Sequence, residues 1–224
     1  MLVVPYLAGL LAAGFRWPDV PLLAAWVGGY LLSYHVFLAL KSRRPGRYRA
    51  QLALYGAVTV PLAAVTVVAR PALLWYGPVY AALFAVNAWY AMRRRERAVL
   101  NDVASVVQSC LMVFVVATVA GVAPARVAVV AGLCLAYFLG TIVYVKTMIR
   151  ERDNPTYWKL SIGYHAAVLP VVALAGPWSA VLFGWLLARA TVLPRFGLRP
   201  VWVGLLEIGN SLALLGVTAL VVSA

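Results

Sequence analysis

The sequence predicts an all-α fold, a polytopic transmembrane helical bundle, from its composition and from the spacing of its apolar runs. Of its 224 residues, 65% are hydrophobic, and the mean hydropathy is +0.92, whereas soluble domains average about 45–50% apolar residues. Short polar or Pro- and Gly-containing stretches divide the apolar residues into nine runs. Because nothing outside these runs is long enough for a soluble domain, we predict a single transmembrane domain over residues 1–224.

Each apolar run is predicted to be a helix, because a helix satisfies its own backbone hydrogen-bonding groups in lipid. We expect about nine helices, with short connections at Pro18, Pro71 and Pro177. The runs are Leu2–Phe15, Asp19–Leu40, Ala50–Ala69, Leu73–Met92, Val99–Ala120, Ala125–Lys146, Tyr157–Leu174, Trp178–Leu193 and Pro200–Val222.

The first run is shorter than a membrane span. Leu2–Phe15 supplies 14 residues, and a spanning helix needs about 20. It lacks the basic start of a cleavable signal peptide. Two interpretations remain open, namely a re-entrant helix or a natural start upstream of Met1.

The basic residues predict an orientation in the cell membrane. Of the 19 Lys and Arg residues, all except Arg16, Arg70 and Arg126 lie in or beside the loops after runs two, four, six and eight. Cytoplasmic loops carry such an excess, so we expect a cytoplasmic N-terminus and an external C-terminus. The formal net charge of +13 therefore indicates orientation and contact with anionic lipids of the bilayer, and not nucleic-acid binding.

Polar side chains within the helices are predicted to lie in the cytoplasmic half, where they would line a cavity that narrows into an apolar interior. Polar groups are costly in a membrane, so their depth is informative. The candidate acid–base residues are Asp102, His165 and Glu207. The candidate ligand-binding residues are His35, Asn87, Arg95, Asn101, Tyr144, Lys146, Arg150, Arg189 and Asn210.

Glu207 is the strongest of these candidates, since it is the acid that lies deep in an apolar run. A buried carboxylate needs a partner, and we expect Arg189, with His165 or Lys146 as alternatives. Asn210 follows at i+3 and shares its helix face.

Structural interpretations stay open for several other residues. His35 also fits a simple hydrogen bond to a neighbouring helix, and Asn101-Asp102 fits a helix N-cap with a favourable dipole contact. The basic loops also fit topology signals alone. Cys110 and Cys134 fit buried apolar side chains, and the sequence contains no metal-site spacing and names no cofactor.

Four stretches carry a resemblance to a known family: ERAVLND (Glu96–Asp102), GTIVYVKTMIRERDNPTY (Gly140–Tyr157), Gly163-Tyr164-His165 and LEIGNS (Leu206–Ser211). With them, the chain resembles the YwiC-like family of bacterial integral membrane proteins. The resemblance implies a His-Gly-Ala-Trp stretch ahead of the segment matching Met1–Gly9. If the natural start lies upstream of Met1, we expect the reading frame there to encode it.

A looser similarity is to the UbiA-type prenyltransferases, which also have nine helices and polar loops after helices two and six. Those enzymes hold a prenyl diphosphate through magnesium on two Asp-rich motifs. Here the first loop reads LKSRRPGRYR, without an acid, and in the second only Glu151 and Asp153 are placed to face a metal. Fold similarity does not establish function.

The sequence therefore leaves three functional hypotheses. The first is a UbiA-like enzyme or relic that binds a phosphate-bearing or prenyl-type lipid, with basic residues taking the phosphate. The second is a carrier or binding protein for an anion or lipid, with Glu207 as a proton-coupled switch. The third is a membrane scaffold without a ligand.

Overall fold

The computed structural model describes residues 1–223 and has the helical architecture that the sequence predicts. Short 3₁₀ turns at Pro45–Tyr48, Pro71–Tyr76 and Leu193–Phe196 join some of the helices. The α-helices are α1 (Val4–Ala13), α2 (Asp19–Ser42), α3 (Arg49–Ala69), α4 (Gly77–Met92), α5 (Val99–Cys110), α6 (Met112–Ala120), α7 (Pro124–Ile149), α8 (Pro155–Ala173), α9 (Pro177–Val192) and α10 (Pro200–Ser223).

Each of the nine predicted runs is helical, and the fifth is divided at Leu111 into α5 and α6. Within residues 1–223, six helical stretches are long and apolar enough to cross a membrane, so the chain is a multi-pass membrane protein. Three of them are the single helices α2, α7 and α10. Two are α3 and α4, each with its preceding 3₁₀ turn, and one is the continuous stretch of α5 and α6. The 10-residue α1 is shorter than a span, as expected.

The loops after α2, α4, α7 and α9 meet at one end of the bundle, which we call the basic end. Lys41 Nζ at the end of α2 lies 2.6 Å from Glu96 Oε1 in the α4–α5 loop. Lys146 Nζ on α7 donates to the Arg97 carbonyl oxygen of the same loop at 2.7 Å. The α7–α8 loop is tied to the α9–α10 connection by Arg152 and Leu198.

The bundle is organised around α7. More than half of its most apolar stretch is buried, whereas only 6% of the corresponding stretch is buried in α3 and in α4. Five helices pack against α7, namely α1, α5, α6, α8 and α10. The main core contains the α7 side chains of Leu133, Cys134, Tyr137 and Phe138. The most exposed helices are therefore expected to face lipid.

Helix α1 lies beside the half of the bundle remote from the basic end. Its preceding residue Met1 accepts a hydrogen bond through its carbonyl oxygen from Ser109 Oγ at 3.0 Å, midway along the α5–α6 span. Farther along, Tyr6 donates to the Asp19 carbonyl oxygen at the start of α2, at 2.9 Å. This arrangement leaves space between Met1 and the basic end.

Candidate functional site

A cavity of about 730 Å³ lies between α5, α7 and α10, on the basic-end side of Met1. We call it the main cavity. Its walls are mostly apolar, and its polar lining is concentrated at two levels. The apolar walls include Val4, Phe138, Ile142, Val145, Val203 and Leu212, and the polar lining includes Asp102, Ser105, Tyr137, Thr141, Lys146, Arg150, Glu207 and Ser211.

The mouth of the main cavity is built by α5, α7 and the loop that follows α7. Lys146 Nζ lies 2.8 Å from Asp102 Oδ2, and the Lys146 side chain is only 9% exposed. With its second bond to the Arg97 carbonyl oxygen, Lys146 is already engaged by the protein. Arg150 is exposed and, among residues 1–223, forms no ion pair, so it is the available cation at the mouth.

A second, more polar cavity of about 530 Å³ adjoins the mouth, and we call it the loop basin. Ile149, Arg150 and Pro200 line both spaces. The basin is shaped by Arg152, whose guanidinium donates to the carbonyl oxygens of Met148 and, at 2.7 Å, of Leu198. Arg150 therefore stands where the apolar cavity meets a water-facing one.

Deeper in the main cavity, Glu207 on α10 forms an ion pair with Arg189 on α9. The Arg189 side chain is fully buried and that of Glu207 is 14% exposed. Tyr137 and Thr141, one turn apart on α7, both donate to Glu207 Oε2 at 3.1 Å. The carboxylate therefore has charge and hydrogen-bond partners from two other helices, as a buried charge requires.

A second set of contacts holds the pair in place. Asn210 Nδ2 donates to Glu207 Oε1 at 3.3 Å, and Trp185 Nε1 donates to Asn210 Oδ1 at 3.0 Å. The Arg189 Cζ atom lies 4.2 Å from the centre of the Tyr144 ring, a distance at which a cation is attracted to the ring face. Helices α7, α9 and α10 are thus linked through one polar cluster.

The pairing of Glu207 with Arg189, predicted from the isolation of that acid, is confirmed. The two alternative partners have other roles. Lys146 pairs with Asp102, and His165 Nδ1 lies 2.7 Å from the Ser161 carbonyl oxygen on its own helix.

The structure places the remaining candidate residues at differing distances from the main cavity. Asn87 contacts the cavity through Ser105. Its Oδ1 atom accepts a hydrogen bond from Ser105 Oγ at 3.4 Å, and Ser105 lines the cavity. His35 stacks on Tyr55 with ring centres 5.1 Å apart, between α2 and α3. Arg95 is exposed in the α4–α5 loop. Neither His35 nor Arg95 lines the main cavity.

The interpretation of Asn101-Asp102 as a helix N-cap is wrong. Helix α5 begins at Val99, so the capping position is Ala98, which has extended backbone geometry. Asn101 lies inside the first turn and donates to the Glu96 carbonyl oxygen at 2.8 Å. Asp102 also belongs to this first turn, where a carboxylate is favoured by the helix dipole.

Sequence reasoning missed Tyr137, Thr141 and Trp185 as partners in the polar cluster. Tyr and Thr are common in apolar helices and carry no charge, so the sequence alone does not distinguish them as site residues. The spacing of Tyr137, Thr141 and Tyr144 was the available signal, because residues three and four apart share a helix face.

The polar groups of the main cavity are few and lie among apolar walls. Within residues 1–223, no three or more His, Cys, Asp or Glu side chains are grouped to hold a metal ion. What the site offers is an apolar slot with an exposed cation at its mouth and a hydrogen-bonded carboxylate at depth.

Comparisons with known proteins agree with the sequence resemblance. The family model described as YwiC-like protein matches residues 1–117. The chain is 32% identical over 225 residues to "Uncharacterized protein YwiC" of Bacillus subtilis, covering 100% of this chain and 94% of that protein. It is 29% identical over 220 residues to an "Uncharacterized protein" of Haemophilus influenzae, covering 92% and 88% respectively. No solved structure matches. The chain belongs to the YwiC-like protein family.

Proposed function

We propose that this membrane protein binds an amphipathic lipid that carries a phosphate group, in the main cavity. The observation that carries the proposal is the combination of an apolar-walled cavity of about 730 Å³ with an exposed Arg150 at its mouth that forms no ion pair among residues 1–223. Pockets of about 300–1,000 Å³ are typical of small-molecule sites. An apolar chain would lie along α7 and α10, with its head group at the basic end.

Arg150 is the first choice for the phosphate contact. A guanidinium binds phosphate through two parallel hydrogen bonds and keeps its charge at any physiological pH. Lys146 contributes less, because Asp102 and the Arg97 carbonyl oxygen already occupy its ammonium group. The loop basin on the other side of Arg150 would receive the rest of the head group.

Glu207 would mark the inner end of the ligand site. Its carboxylate lies beside the cavity, balanced by Arg189, and would offer a hydrogen-bond acceptor to a polar group on the ligand chain. We propose binding without prenyl transfer. Prenyl transfer of the UbiA type needs carboxylate-held magnesium, and the corresponding loop offers Glu151 and Asp153 alone.

Native mass spectrometry of the purified protein with added defined lipids tests the proposal. We expect phosphatidic acid to bind and diacylglycerol, which has the same chains without the phosphate, to bind at least tenfold more weakly. Arg150→Gln should weaken phosphatidic acid binding by roughly tenfold or more, the loss expected for about 1.5–3 kcal/mol of charged hydrogen bonding.

Arg47→Gln is the matched control. It removes the same charge from the same basic end, at an exposed position that lines neither cavity. Equal binding of the two lipids, or equal losses for the two variants, would contradict the proposal. Tight binding of inorganic phosphate alone would instead favour the anion carrier.

A further inference from the structure

Four deeply buried side chains from α7, α8 and α9 carry polar atoms that have no hydrogen-bond partner among residues 1–223. They are the hydroxyl oxygens of Tyr144 and Ser161, Nε2 of His165, and Nε and Nη2 of Arg189. None of these residues is more than 2% exposed. Buried polar groups in native proteins nearly always have a partner, so a cluster of exceptions calls for a specific cause.

The packing of α7 against α8 brings three of these groups to neighbouring levels. A Cβ atom added at Gly140 would lie 2.9 Å from His165 Nε2, so these two positions face each other. The helices run in opposite directions, and Tyr144 and Ser161 each lie one turn farther toward the basic end. Tyr144 and Ser161 therefore lie at the same level of the two helices.

Helix α9 brings Arg189 to the same level. Trp158 Nε1 donates to the Ala190 carbonyl oxygen at 3.2 Å, which fixes how α8 and α9 are aligned. Ser161 is one turn beyond Trp158, which places it within about one turn of Arg189. The Arg189 guanidinium independently lies over the Tyr144 ring, so the four side chains lie within about one helical turn of one another.

The chemistry of the cluster suits water. His165 Nδ1 must donate to the Ser161 carbonyl oxygen, which can only accept, so Nε2 of the neutral ring presents a lone pair. Arg189 can only donate, and each hydroxyl can do either. Water both donates and accepts. An anion is disfavoured, because Glu207 already balances the Arg189 charge and a second buried negative charge would be costly.

We propose that Tyr144, Ser161, His165 and Arg189 form an internal water-binding site behind the Glu207 carboxylate. Water there donates to His165 Nε2 and accepts from Arg189, so it connects α8 to the Arg189–Glu207 pair. Buried waters commonly make about three such bonds and are costly to remove. Gly140 keeps His165 Nε2 close to α7 by having no side chain.

Thermal unfolding in detergent tests the site, because removal of a hydroxyl lowers the unfolding midpoint if that hydroxyl binds water and does not lower it otherwise. Ser161→Ala and Tyr144→Phe each remove one hydroxyl with little change of shape. If the hydroxyls bind shared water, each variant should lower the unfolding midpoint by several degrees, and the double variant by less than the sum. If they are unpartnered, removal relieves a desolvation cost and the midpoint should stay unchanged or rise, which would overturn the proposal.

Thr59→Val is the matched control, because Thr59 Oγ1 is another buried hydroxyl without a partner among the described residues and lies on α3, against Gly28. We expect its midpoint to be unchanged or raised. A high-resolution experimental structure supplies a second readout. Ordered water within hydrogen-bonding distance of at least two of the four side chains is expected, and density for none would overturn the proposal.

Discussion

Arg189 on α9 and Glu207 on α10 form a buried ion pair at the inner end of the main cavity, and the Arg189 side chain has no solvent exposure. Tyr137 and Thr141 of α7 donate to the same carboxylate. The pair thus links the central helix to the last two helices. It also holds the Glu207 carboxylate at the α10 wall of the cavity.

Glu207→Gln is expected to destabilise the protein by about 3–5 kcal/mol, because it leaves the Arg189 charge buried without its partner. Arg189→Gln should cost a similar amount. The double variant should cost less than the two losses added, and a double-mutant cycle of unfolding free energies in detergent measures the difference. Strict additivity would show that the two residues are not coupled.

The exposed pair of Lys41 and Glu96 should contribute far less. Its side chains are 43% and 36% exposed, and such pairs are worth about 0–1 kcal/mol. The hydrogen bond from Lys41 lowers the pKa of Glu96 below its ordinary value of 4.5. The contribution is therefore present above pH 4.5 and is lost as the pH falls through the lowered pKa.

Unfolding of the wild type and of Lys41→Gln at several pH values checks this prediction. The two proteins should differ slightly at neutral pH and converge in acid, with Arg47→Gln as a control of equal charge. A difference that grows in acid would contradict the assignment.

Lys146→Met is expected to destabilise the protein by about 1.5–3 kcal/mol, the typical value of a hydrogen bond to a charged group. The change removes the cation from Asp102 and the donor from the Arg97 carbonyl oxygen. Lys159→Met makes the same substitution at an exposed position. Comparison of their unfolding free energies measures the effect, and equal stabilities would show that Lys146 does not hold the α4–α5 loop.

The expected orientation predicts where introduced cysteines react. Arg47→Cys should be labelled only when a charged thiol reagent reaches the cytoplasm. Leu174→Cys, at the other end of the bundle and 89% exposed, should be labelled from outside. The native Cys110 and Cys134 are buried and provide the background. Labelling of both positions from the same side would exclude this topology.

The helices could be predicted from sequence because apolar runs of this length have one stable form in lipid. The Arg189–Glu207 pair could be predicted because an isolated buried acid requires a cation. The positions of His35 and Arg95, which lie away from the main cavity, could not be predicted from sequence. Charge and depth suggest how far a residue lies along a helix, but they do not determine which neighbour its face will meet.

The same limit explains the missed partners on α7. Tyr137 and Thr141 shared a helix face in the sequence, yet only packing against α10 shows that this face meets Glu207. The division of the fifth run at Leu111 also had no sequence signal, since Val99–Ala120 contains neither Pro nor Gly.

If a phosphate-bearing lipid occupies the main cavity, a side chain that fills the cavity should exclude that lipid. Gly204 on α10 lines the cavity, and a Cβ atom there would meet nothing within 4 Å, so Gly204→Trp can project into the space. Gly209→Trp is the control, since Gly209 is equally open on the same helix, exposed, and outside the cavity lining.

The measurement is phosphatidic acid binding to the wild type and to both variants by native mass spectrometry, with unfolding midpoints recorded alongside. We expect Gly204→Trp to lose binding while it stays folded, and Gly209→Trp to bind as the wild type does. Undiminished binding by folded Gly204→Trp would show that the lipid lies elsewhere on the protein and not in the main cavity.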